Sequence, residues 1–150
     1  MMITRASGET LAQAAALACE LWPGHAPGEL LAEWEALPPS ECAVFLAVED
    51  NVPAGFAQCQ LRRDYVEGTK TSPVGYLEGV YVREVFRRRG LAKALLSACE
   101  EWAAAQGCAE FASDCGLDNA RSIAFHLGAD FAEANRIVCF TKRLGEEAST

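Results

Sequence analysis

The sequence predicts a mixed α/β fold. Short apolar runs of strand length alternate with longer segments of helical period along the whole chain. Hairpins are read near both ends, and 150 residues suit one domain. Residues 1–150 are therefore read as a single domain without an internal repeat or a linker.

Taken in order, Met2 to Ala6 is a short strand. Ser7 stands where it could cap a helix from about Thr10 to Leu21, whose Leu11, Ala14, Ala15, Ala18 and Leu21 share one face. The Ala-rich stretch Leu11 to Cys19 resembles the apolar part of a secretion signal. A lone Arg5 and the flanking Glu9 and Glu20 favour an amphipathic first helix instead. Trp22-Pro23-Gly24 breaks this helix, and a shorter one covers Gly28 to Ala36 before Pro38-Pro39. Cys42 to Val48 reads as a buried strand, Asp50-Asn51 as a turn and Val52 to Leu61 as the second arm of a hairpin. Asp64 to Pro73 is a polar loop. Val74 to Val82 is a strand holding Gly75 and Gly79, a sign of a bulge or of close approach to the backbone. A long helix then opens at Arg87-Arg88-Arg89-Gly90 and ends at Gly107, with Leu91, Ala94, Leu95, Ala98 and Trp102 at its period. Cys108 to Ala112 is a strand, Asp118 caps a helix to about His126, and Phe131 to Ala134 and Ile137 to Arg143 are the last strands. The polar tail from Gly145 is expected to be loose.

Composition narrows the function. A net charge of −8 argues against a nucleic-acid partner, and the apolar stretches are too short for a membrane span. The seven cysteines are odd in number, form no C-x-x-C pair and sit mostly in apolar runs. They point to a reducing, cytoplasmic setting without disulfides or zinc, and with two histidines no metal site is expected. The basic residues are unevenly placed: Arg83, Arg87, Arg88, Arg89 and Lys93 crowd into residues 83–93. An acidic chain with one basic knot points to two sites, one for a small anion and one that attracts a cation.

The chemistry concentrates in Val80 through Ala92, where a strand enters a basic turn and the turn enters a helix. The first backbone N–H groups of a helix have no intrahelical partner, and with the helix dipole they form an anion site. Gly90 and the small Ala92 let backbone approach a ligand closely, and the arginines suit phosphate oxygens. A solvated basic turn with a glycine cap is the plainer reading of the same residues. The pattern Arg87-x-x-Gly90-x-Ala92 after a strand resembles the R/Q-x-x-G-x-G/A pyrophosphate loop of the GNAT acetyltransferase superfamily. The resemblance implies a GNAT fold, with a mixed central sheet of about six to seven strands flanked by about four helices. It also implies acetyl-coenzyme A as co-substrate. Its diphosphate would lie on Arg87, Arg88, Arg89, Gly90, Leu91, Ala92 and Lys93, and its pantetheine arm would pair with the backbone of Val80, Tyr81 and Val82.

A narrower resemblance runs from about Ile3 to Arg143. The segments Leu21-Trp22-Pro23-Gly24-His25, Arg63-Asp64-Tyr65-Val66-Glu67-Gly68, Thr71-Ser72-Pro73-Val74, Leu77-Glu78-Gly79-Val80-Tyr81-Val82 and Ala112-Ser113-Asp114 are similar to those of the aminoglycoside 6′-N-acetyltransferases of the short chromosomal type. The implied activity is acetylation of the 6′-amine of antibiotics such as kanamycin, and the implied assembly is a homodimer built through the strands around Ile137 to Lys142. An aminoglycoside is a polycation, so an acidic enzyme with carboxylates in its pocket fits it. The resemblance turns Glu78 and Asp114 to the acceptor pocket, Glu78 as general base and Asp114 holding a neighbouring ammonium, with Trp22, His25 and Tyr65 as the sugar-binding wall. Their plainer readings are a solvent-facing strand residue for Glu78, a turn former for Asp114, core for Trp22 and loop for His25.

Asn119 and Ser122 open the next helix, and Asn119 matches the family's pantetheine-binding asparagine, or else simply starts the helix. His126 occupies the place where many GNAT enzymes carry a tyrosine that protonates the leaving thiolate; an imidazole serves either that role or a structural one. The family's Leu-Gly-Phe is Ala129-Asp130-Phe131 here, and Asp tolerates the left-handed conformation that the glycine would take. Two other functions stay open on the sequence. The acceptor could be a polyamine, an amino-acid-like metabolite or a protein N-terminus, or the chain could be a catalytically silent acetyl-coenzyme A sensor.

Overall fold

The computed structural model describes residues 1–145, and the tail expected to be loose beyond Gly145 lies outside the described residues. The chain divides into two compact units, Met1–Cys115 and Gly116–Thr150.

The first unit is built on a five-stranded sheet in the order β1-β2-β3-β4-β5. The strands are β1 (Met2–Arg5), β2 (Cys42–Glu49), β3 (Val52–Arg62), β4 (Val74–Val82) and β5 (Phe111–Ser113). Neighbours run antiparallel up to β4, and β5 joins β4 in parallel after a helical crossover. Helices α1 (Glu9–Leu21) and α2 (Pro27–Ala36) precede β2, and α3 (Leu91–Ala105) makes the crossover. Asp50 and Asn51 take φ of 52° and 62°, the two left-handed residues a tight hairpin turn requires. Pro27 stands at the start of α2, where its missing N–H costs nothing.

Strand alternation sends β3 to two layers. Phe56 packs with Ala14, Leu17, Leu30 and Trp34 of α1 and α2. On the other face, a Cβ at Gly75 of β4 would stand 2.6 Å from the Ala103 Cβ of α3.

Three local expectations are corrected. Ser7 does not cap α1; Gly8 is the N-cap residue, and the Thr10 hydroxyl links back to Ser7 by accepting from its N–H and donating to its carbonyl. The fifth strand begins at Phe111 rather than Cys108, because Cys108 is spent on closing α3. Gly107 is left-handed, the Gly107 N–H donates to Ala104 and the Cys108 N–H to Ala103, the bond pattern of a glycine helix stop. In the second unit α4 (Ala120–Gly128) is capped by Asn119, whose Oδ1 accepts from the Ser122 N–H at 3.1 Å, and not by Asp118.

The C-terminal strands expected at Phe131 to Ala134 and Ile137 to Arg143 do not form; residues 131–144 carry no regular secondary structure. Their apolar residues supply strand propensity, but propensity becomes a strand only against a neighbouring ladder. Ile137, Val138, Phe140 and Leu144 are exposed instead. The described sheet thus has five strands rather than six or seven, with four α-helices as expected. Asp130 takes φ 70°, the left-handed helix exit expected of it.

Candidate active site

The site grows from a fault in one ladder. Gln58 of β3 pairs with Gly79 and Cys59 pairs with Leu77, so Glu78 is the extra residue of a bulge on β4. A bulge bends its strand and re-aims a side chain. β5 pairs with β4 only from Gly75 to Leu77. From Glu78 on, β4 has no ladder partner in β5 among the described residues, while Val80, Tyr81 and Val82 stay paired with Ala57, Phe56 and Gly55 of β3.

Four side chains meet around the bulge. Arg62, at the end of β3, donates from Nε to Glu78 Oε2 at 3.0 Å and from Nη2 to Oε1 at 2.7 Å. Its guanidinium lies 3.5 Å from the centre of the Tyr76 ring. The Tyr76 hydroxyl donates to Asp114 Oδ2. Burial, then the bond to Asp114, pushes the Tyr76 phenol well above its ordinary range. The bond that Arg62 donates to Glu78 raises the guanidinium in turn. Glu78 and Asp114 are thus brought together through two residues that the sequence reading missed. The signal for them was cross-strand register. Arg62 pairs with Val74 and Gln60 with Tyr76, so Arg62 and Tyr76 are diagonal neighbours on one face.

Trp22 forms one wall. Its ring lies so close to Gly79 that a Cβ there would stand 2.5 Å from Cζ2. It also packs edge-on against Phe56 with centroids 5.9 Å apart, so it is both part of the core and a lining residue. The Tyr81 hydroxyl donates to Glu20 at 2.9 Å, and burial followed by that bond raises the Tyr81 phenol. His25 is exposed on the turn after Trp22, its N–H donating to the Trp22 carbonyl. Tyr65 is exposed on the loop after β3. That loop is tied down by Glu110, whose Oε1 accepts from the Lys70 and Thr71 N–H groups at 2.8 Å and from the Thr71 hydroxyl.

A single 3-10 turn at Glu84–Phe86 links β4 to the basic turn. Arg88 and Gly90 take φ of 67° and 80°, two left-handed residues within three positions. A Cβ at Gly90 would meet no protein atom, so it is the backbone angle that asks for glycine. No side chain caps α3, so the N–H groups of Leu91, Ala92 and Lys93 keep their unpaired first-turn character. The Leu91 side chain is buried and can offer only backbone. Arg87 has a structural duty as well, since its Nε donates to the Val82 carbonyl at 2.7 Å. Arg89 lies over Phe86.

In the second unit the Asn119 Oδ1 is engaged as the helix cap, so its plainer reading as a helix-start residue describes what it does there. His126 Nδ1 donates to the Ser122 carbonyl at 2.7 Å and lies 3.3 Å from Ser122 Oγ. Phe125 and Phe131 flank the ring. Among the described residues no group of three His, Cys, Asp or Glu is placed to hold a metal ion.

Comparison with known proteins accords with this geometry. A family model described as "Acetyltransferase (GNAT) family" matches residues 10–131. The chain is 42% identical over 125 residues to an aminoglycoside N(6′)-acetyltransferase type 1 of Salmonella typhimurium, covering 83% of this chain and 86% of the relative. It is 38% identical over 146 residues to one of Acinetobacter baumannii, covering 97% and 100%. Among solved structures, AAC(6′)-Iy in complex with the bisubstrate analogue CoA-S-monomethyl-acetylneamine superposes with a TM-score of 0.89 at 38% identity, covering 95% of this chain and 98% of that one. AAC(6′)-Ih from Acinetobacter baumannii gives 0.86 at 37%, covering 96% and 99%. With its strand, glycine turn and uncapped helix matched by family model, sequence and structure together, the chain belongs to the GNAT acetyltransferase family and is an N-acetyltransferase.

Proposed function

We propose that the protein transfers the acetyl group of acetyl-coenzyme A to the 6′-amine of an aminoglycoside, and that it thereby confers antibiotic resistance. The observation that carries this reading is the β4 bulge, which sets Glu78 beside the Asp114 network where β4 parts from β5, on the strand that leads through a 3-10 turn and the basic turn to the uncapped N-terminus of α3. The relatives' substrates and the coenzyme A complexes of the similar structures support it.

In this reading the α3 N-terminus, with Arg87, Arg88, Arg89 and Lys93, holds the diphosphate. The backbone of Val80, Tyr81 and Val82 pairs with the pantetheine amides as a sheet edge would. Trp22, His25 and Tyr65 line the sugar side, and Glu78 and Asp114 take the ammonium groups. Transfer is direct. The amine lone pair attacks the thioester carbonyl, the C–N bond forms, the C–S bond breaks and the thiolate leaves. The amine's proton passes to Glu78, directly or through a water, and a backbone N–H near Val80 stabilises the oxyanion. Asn119 and Ser122 serve the pantetheine, and His126 returns a proton to the thiolate. With Nδ1 committed to the Ser122 carbonyl, that proton must come from Nε2 of the imidazolium.

The family match crosses the boundary between the compact units and supports one catalytic domain over residues 1–150. Seven free cysteines support a reducing, cytoplasmic setting. The net charge of −8 supports a cationic small-molecule partner over nucleic acid, and no helix among the described residues is long and apolar enough to cross a membrane. The exposed Ile137, Val138 and Phe140 support a homodimer built through residues 137–142. Sedimentation should show a dimer that Phe140→Asp dissociates; a wild-type monomer removes this part.

The test is thiol release by the purified enzyme with acetyl-coenzyme A across aminoglycosides, polyamines, amino acids and N-terminal peptides. Aminoglycosides should be turned over fastest, and a kanamycin rate at background sinks the reading. Glu78→Gln should lose about 10²–10⁴-fold in kcat/KM while still binding acetyl-coenzyme A. Unchanged turnover removes Glu78 as base.

A further inference from the structure

We propose that Arg62 is a positioning residue of the acetyl transfer, a resident counter-ion that aims Glu78 and limits how tightly the site holds a polycation before reaction. The inference rests on the acceptor reading above and deepens it. Arg62 stands between the two carboxylates. Its fork takes both oxygens of Glu78, and its face stacks on the Tyr76 ring whose hydroxyl reaches Asp114. Glu78 is 19% exposed and Arg62 41%, so the carboxylate is the sheltered partner and the guanidinium its lid.

Two consequences follow from the chemistry. A fork of two parallel bonds fixes the carboxylate plane as a single ammonium does not. The lone pairs left on Glu78 therefore point in set directions, which a proton acceptor needs. The charge count matters equally. Two carboxylates and one guanidinium present a net single negative charge to an incoming ammonium. Without Arg62 the site would hold a polycation more tightly in the ground state, with no matching gain in the transition state. Loss of Arg62 should thus lower kcat without raising the acceptor KM, a split that a merely structural residue does not give.

The experiment uses the full-length enzyme with kanamycin and acetyl-coenzyme A. Arg62→Met should lower kcat at least about tenfold. Its kanamycin KM should stay level or fall, and its acetyl-coenzyme A KM should not move. Arg62→Lys keeps the charge but loses the fork and the flat stacking face. It should show the wild-type kanamycin KM and a kcat between wild type and Arg62→Met. Arg62→Met at wild-type kcat, or with a kanamycin KM raised severalfold, overturns the proposal. Should Arg62→Met fail to fold, Arg62→Lys decides alone, and wild-type kcat in that variant overturns the proposal. A wild-type enzyme inactive on kanamycin sinks the acceptor reading, and this inference with it, before any variant is compared.

Discussion

Gly79 is held to glycine by Trp22. The indole occupies the space a side chain would need, 2.5 Å from the missing Cβ. Gly79→Ala should cost about 1–3 kcal/mol in stability through forced repacking. By displacing the Trp22 wall it should also raise the kanamycin KM severalfold while leaving the acetyl-coenzyme A KM in place. Thermal melting and steady-state kinetics check the two effects separately. The legibility of the site divides along the same line. Glu78 and Asp114 were reached through the family resemblance, which their places inside one strand and at the end of the next made physically sensible. Arg62 and Tyr76 were not, because an Arg at a strand end and a Tyr in a strand are ordinary until register brings them together.

Glu110 acts at the scale of the acceptor loop. Its carboxyl is held below the usual carboxylate range, first by the Thr71 hydroxyl and then by the Lys70 N–H. A depressed folded value means the tie is fully present above the ordinary carboxylate value and is lost as pH falls through the folded one. As pH falls below the ordinary carboxylate value, the Lys70 and Thr71 amides should lose protection relative to their intrinsic exchange, and Glu110→Gln should remove that pH dependence. Protection factors flat with pH in the wild type would count against the tie. Among the elements, α3 and its glycine turn were the most readable, since period, stop and turn residues all agree there. The segment 131–144 was the least readable. It has strand composition, but composition does not say whether a ladder is available to pair with.

For the molecule as a whole, the cysteines separate sharply by environment. Burial, only partly offset by Gln58, raises the Cys42 thiol, and the hydrogen bond with Cys59, then burial, raises Cys99. Cys115 and Cys139 are exposed. A thiol reagent under native conditions should label Cys115 and Cys139 well before Cys42, Cys59 or Cys99, with all seven reacting after denaturation. Mass mapping of a timed alkylation reads this directly, and early modification of Cys99 would contradict the packing. The mixed α/β class and the count of helices were legible at this scale, because alternation of periods survives small errors in every boundary.

The extra residue in β4 also changes which way the strand looks. Before it, Gly75 abuts Ala103 of α3. After it, Gly79 abuts Trp22 and Tyr81 reaches Glu20, both from the α1 layer. Odd-numbered positions thus swap sides midway, so one strand serves both layers in turn. Removing the unpaired Glu78 would leave Leu77 and Gly79 adjacent and restore a regular pleat, with Gly79 and Tyr81 still on the α1 side and the re-aimed carboxylate gone. Removing any other residue of the stretch would turn the positions between it and the fault to the opposite layer.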